Sequence, residues 1–110
     1  MSFVLLPALA IASTTAAPSP SPALSLMVER CGDAIEVRLI GHSTVAQHVR
    51  YDLHLSGKSN SRNRGSSDLA AGRTVTLSTM RMSVTDHWCV QVAVEEGNGD
   101  RYDLRQGDCR

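Results

Sequence analysis

No charged side chain appears in this 110-residue chain before Glu29, and that absence sets its front end apart. The apolar run from Phe3 to Ala12 is too short for a membrane span, which needs about 20 apolar residues, and Pro7 interrupts it. Its length and the small residues that follow fit a secretory leader, with Ala10-Ile11-Ala12 as a small-x-small cleavage motif, although no Lys or Arg precedes the run. Residues 1–12 are therefore assigned to a signal peptide, with cleavage as late as 17. The Pro/Ser/Ala stretch over 13–23 can neither pair in a sheet nor bury apolar area, and is expected to be a disordered linker.

Other absences narrow the function. Net charge is zero, with 11 basic and 11 acidic residues, so phosphate neutralisation cannot drive general nucleic-acid binding. There is no CxxC, GxSxG or HExxH, and the four histidines, His42, His48, His54 and His87, show no metal-ligand spacing beyond His48 and His54 on one strand face. The chain is read as a non-enzyme without a cofactor. Neither a heptad, an internal repeat nor an apolar stripe of helical period occurs, which leaves an all-β domain over 24–110. At this size the core is small, so stability needs reinforcement, a disulfide for example.

What is present is alternation. Trp88, Val90, Val92 and Val94 fall on one face, and Cys89, Gln91, Ala93 and Glu95 on the other, the signature of a half-buried strand. The next segment, Glu96-Gly97-Asn98-Gly99-Asp100, is hairpin chemistry. Ile35, Val37 and Leu39 alternate with Glu36 and Arg38, and Val49, Tyr51, Leu53 and Leu55 with His48, Arg50, Asp52 and His54. Strands are predicted over 24–29, 34–41, 45–56, 66–69, 73–84, 87–95 and 101–106, which suggests an immunoglobulin-like seven-stranded β-sandwich. The fifth strand changes parity between Leu77 and Met80, and a β-bulge near Ser78-Thr79 would explain it. The segment 57–67 contains no apolar residue and is expected to be an exposed, mobile loop.

An exported chain matures in an oxidising compartment, so Cys31, Cys89 and Cys109 are first disulfide candidates. With strands alternating up and down, all three meet at one end of the sandwich. A Cys31–Cys109 bridge is favoured, since both lie at flexible positions and the long loop they close would contribute about 4 kcal/mol. Cys89 is then free, or the competing partner. Met80, Met82, His87 and Cys89 together would suit Cu(I), which makes a metal-binding or redox protein the alternative reading. Alternation weighs against it, because it sends Met80 and Met82 into the core while Cys89 faces out.

The block from Tyr51 to Gln106 resembles the small curli assembly proteins of the CsgC/CsgH family. The resemblance rests on a hydrophobic strand ending in Ser56-Gly57, a polar Gly/Ser stretch, Leu69-x-x-Gly72 before the long fifth strand, an apolar sixth strand and the closing Tyr102-Asp103-Leu104. The leader and the Cys31-Gly32-Asp33 turn fit the same picture. One departure matters. CsgC proteins carry a Cys-x-Cys pair at the start of the third strand, where this chain has Ala46, Gln47, His48 and Val49, so a redox role for that pair does not transfer.

The resemblance implies a periplasmic, chaperone-like inhibitor that binds curli amyloid subunits, the major and also the minor one, and prevents premature polymerisation. It implies a monomer without nucleic-acid partner or stable membrane association. A sandwich with a charged face or edge that does not propagate can hold amyloid-prone chains without extending them. Alternation places His48, Arg50, His54, Gln91, Arg101 and Arg105 on one outer face, with Arg62 and Arg64 on the adjoining loop. These eight residues are the candidate subunit-binding face, though an ordinary solvated face has the same composition.

Overall fold

The computed structural model describes residues 22–109. The leader and most of the linker assignment lie outside the described residues. Ala23, placed last in the linker, is buried, and its N–H donates to Glu96 Oε2 at 2.8 Å.

Seven strands form in chain order: β1 (Leu24–Cys31), β2 (Ala34–His42), β3 (Gln47–Ser56), β4 (Asn60–Leu69), β5 (Thr74–Ser83), β6 (Cys89–Glu95) and β7 (Arg101–Gly107). They make a three-stranded sheet, β1-β2-β5, and a four-stranded sheet, β4-β3-β6-β7, antiparallel throughout. The all-β sandwich expected from the alternation is present. Its core is the inward row of each strand: Ile35, Val37 and Leu39 from β2, Val49, Leu53 and Leu55 from β3, and Val90, Val92 and Val94 from β6. Ala23, Leu24, Leu69, Met82 and Val84 complete it.

Parity changes in β5 because of a bulge. Leu39 pairs with Ser78 and Ile40 with Thr76, which leaves Leu77 as the extra residue, just before the predicted Ser78-Thr79. Leu77 packs against the core from one phase and Met80 and Met82 from the other.

Two expectations are corrected. Residues 57–67 are not a loop: only 57–59 turn, and β4 runs for ten residues paired with β3 from Ser56↔Asn60 to Gln47↔Leu69. An apolar signal is missing because β4 is an edge strand whose inward positions, Ser61, Asn63, Gly65 and Ser67, are small or polar. The Tyr51 side chain lies over Gly65, where a methyl group would collide with it, and the Asn63 amide donates to Ser78 Oγ at 2.8 Å. Aromatic cover of a glycine thus replaces an apolar residue on that strand.

The second correction concerns the disulfide. Cys109 bonds Cys89, with Cα atoms 4.9 Å apart, and Cys31 is free and exposed. Cys31 is the last residue of β1, in the other sheet, whereas Cys89 is the register partner of Gly107, two residues before Cys109. Gly107 has φ of 91°, a left-handed conformation that turns the chain after β7, and the Asp108 N–H then donates to Trp88 O at 2.7 Å. That turn returns Cys109 over Cys89. Trp88 precedes β6 and is half-buried against the core, packed over Gly107.

Candidate functional site

The outer face of the four-stranded sheet is built row by row from the strand register. One row is Ser66, Arg50, Glu95 and Arg101, the next Arg64, Asp52, Ala93 and Asp103, and the third Arg62, His54, Gln91 and Arg105. His48 and Asp68 sit at the β3–β4 end. All eight predicted residues therefore lie on one face: alternation puts six of them there, and β4, where a loop is expected, brings in Arg62 and Arg64. The predicted set omits Asp52, Asp68, Glu95 and Asp103, which share the face. The same period of two would have found them, since Asp52 lies between Arg50 and His54 and Asp103 between Arg101 and Arg105.

The face carries five arginines against the carboxylates of Asp52, Asp68, Glu95 and Asp103. Its counterpart on the other sheet is balanced, with Arg38 and Arg81 against Glu29 and Glu36. Asp52 is the hub. Arg62 donates to both its oxygens, at 2.9 and 2.6 Å, and Arg64 approaches at 3.4 Å. The remaining pairs are looser: Arg101–Glu95 at 3.4 Å and Arg105–Asp103 at 3.6 Å. Arg50 makes no ion pair with any described residue. Exposed pairs of this kind are weak and salt-sensitive, so these guanidiniums can exchange their partners for the carboxylates of a ligand at little cost.

Ala93 is the low point. Arg50, Arg64, Arg101, Asp52, Glu95 and Asp103 rise around it and enclose a groove of about 540 Å³, with a side lobe of about 180 Å³ toward His54, Arg62 and Gln91. A small side chain between longer charged ones leaves a shallow, two-signed depression, suited to reversible contact with a polar chain. His48 is taken by Asp68 at 2.7 Å, and His54 makes no bond to a described residue.

The Arg62 hydrogen bonds hold the Asp52 carboxyl below the usual carboxylate range, with the charges of Arg62 and Arg64 adding to them against a smaller opposing effect of burial. The folded state then prefers ionised Asp52. That contribution is intact above the unfolded carboxylate value of about 4 and is lost as pH falls through the lower folded value. Acid denaturation should show it. We expect the native protein to lose stability more steeply below pH about 4 than Asp52→Asn does, and parallel acid limbs would contradict the pair's role.

A second polar cluster closes the opposite edge. Tyr102 donates to Glu96 Oε2 at 2.6 Å and accepts from the Leu24 N–H at 3.2 Å, while Gln106 Nε2 donates to Leu26 O at 2.8 Å. Burial, followed by the Glu96 carboxylate, pushes the Tyr102 phenol upward. These bonds clasp β1 to β7 across the two sheets.

The copper alternative loses its thiol. Cys89 is held in the disulfide, Met82 is buried in the core, and His87 pairs with Asp108 at 2.7 Å. Among the described residues no three His, Cys, Asp or Glu side chains converge as metal ligands.

Searches against family models and curated proteins return no match to this sequence. Solved structures do match its shape. The Escherichia coli curli protein CsgC superposes with a TM-score of 0.56 at 16% identity, covering 78% of this chain and 96% of that one. The solution structure of R. palustris CsgH gives 0.55 at 12% identity, covering 76% of this chain and 89% of that one. The fold is that of CsgC and CsgH. At such identities the likeness speaks for architecture, and it spans nearly all of both relatives.

Proposed function

We propose that this chain is a periplasmic protein of the CsgC/CsgH family that binds curli amyloid subunits and delays their polymerisation. The observation that carries the proposal is the pairing of the CsgC-like fold with an arginine-rich outer face on its four-stranded sheet. Fold alone does not specify function, and the face supplies the chemistry. Amyloid growth needs a strand edge and a flat surface on which to add the next chain. A folded sandwich whose face bears five arginines offers early assemblies electrostatic contact, and its β1–β7 side is closed by the Tyr102 and Gln106 bonds. Contact without a continuing template slows nucleation.

The activity is non-catalytic and needs no cofactor. The test mixes the purified protein at low molar ratio with a curli major subunit and follows fibril-dye fluorescence. A lag phase lengthened several-fold is expected, and an unchanged lag would contradict the proposal.

A further inference from the structure

Of the four sheet edges, β4 is the most open. Its ten residues pair in backbone with β3 alone, without a register shift or a proline, and its contacts with Tyr51 and Ser78, at Gly65 and Asn63, are made on the inner face and leave the backbone edge uncovered. The other edges are compromised: β5 is bulged at Leu77 and gives that residue's carbonyl to Tyr51 Oη at 3.3 Å, while β1 and β7 are clasped to each other. Alternate N–H and C=O groups of β4 therefore point outward as a template for another strand. What guards the edge is charge. Arg62 and Arg64 stand two residues apart on the outer face, share the single carboxylate of Asp52, and neighbour Arg50, which makes no ion pair with a described residue. In the register that sets Arg62 opposite Arg64, a second antiparallel β4 brings arginines against arginines and is repelled. A strand with carboxylates is drawn in.

We propose that β4 receives an extended segment by strand addition, and that it selects segments with Asp or Glu at two positions two residues apart, opposite Arg62 and Arg64. Cross-strand neighbours lie about 5 Å apart, within reach of a guanidinium–carboxylate pair, and the period of two puts both acids on the arginine face. Main-chain bonds supply affinity and the arginines supply selection. The inference rests on the subunit-binding role proposed above and adds to the contact across the arginine face an edge at which part of the bound segment is held.

The test uses peptides as long as β4. One alternates Thr or Val with Asp; a second is identical except for prolines at alternate positions; a third carries Lys for Asp. Binding is read by fluorescence anisotropy and backbone amide hydrogen exchange. The alternating acidic peptide should bind at least about tenfold tighter than the other two and slow exchange within Asn60–Leu69. In Arg62→Glu/Arg64→Glu the preference should move to the Lys peptide. Equal binding of the proline peptide, or unaltered β4 exchange in the complex, overturns strand addition. Failure of the functional proposal is read separately: a lengthened fibril lag with unprotected β4 removes only the edge mechanism, whereas an unchanged lag removes the subunit-binding role itself.

Discussion

Replacing Cys89 and Cys109 with serine is expected to lower the unfolding free energy by about 3 kcal/mol, the chain-entropy value for a loop of this size. The bridge spans 20 residues and ties the start of β6 to the segment just past β7. Without it the Gly107 turn, the Asp108–Trp88 backbone bond and the packing of Trp88 over Gly107 lose their covalent tie and rest on non-covalent contacts such as the Cys89–Gly107 register pair and the exposed His87–Asp108 pair. Denaturant unfolding followed by Trp88 fluorescence measures the loss. The matched control is Cys31→Ser, which removes an exposed free thiol and should leave the midpoint unchanged. If Cys31→Ser were as costly as the double replacement, Cys31 would be the true partner of Cys109, and the account of this end of the sandwich would be wrong.

The second large effect is Leu53→Ala, expected to cost about 2 to 5 kcal/mol. Leu53 is fully buried at the middle of β3, between Asn63 of β4 and Val92 of β6. Truncation there removes apolar contact and leaves a cavity in the strand on which the whole arginine face is hung. A domain of this size holds only about 5 to 15 kcal/mol in total, so the variant sits near the unfolding threshold. His54→Ala, one residue on and facing solvent, should be close to neutral. Chemical denaturation followed by circular dichroism compares the two, and similar midpoints would contradict the assignment of inward and outward rows.

Those rows were legible in the sequence where the alternation is strong. In β2, β3 and β6 apolar residues such as Ile35-x-Val37-x-Leu39, Val49-x-Tyr51-x-Leu53-x-Leu55 and Val90-x-Val92-x-Val94 alternate with polar or small ones, and that fixes both the strand and its wet side. The six site residues on β3, β6 and β7 follow from the same rule, which is why they emerge on one face, whereas Arg62 and Arg64, expected on a loop, join them only through β4. β4 was not legible because its stability comes from backbone pairing to β3 and from the Tyr51 cover over Gly65, neither of which leaves an apolar pattern. The disulfide was not legible either. Cys31 and Cys89 lie in different sheets, and the choice between them depends on a left-handed glycine after β7. The acids Asp52, Asp68, Glu95 and Asp103 share the period of that face, and period alone does not tell a contact residue from its ion-pair partner.

The central claim is that the outer face of the four-stranded sheet makes the contact with amyloid subunits. It is tested most directly by comparing two charge-reversed proteins in the fibril-lag assay with a curli major subunit. Arg50→Glu/Arg105→Glu changes the proposed face, and Arg38→Glu/Arg81→Glu changes the outer face of the other sheet by the same charge. With both variants folded, the first should lose most of the inhibition and the second should retain it. Equal inhibition by the two variants would contradict the account.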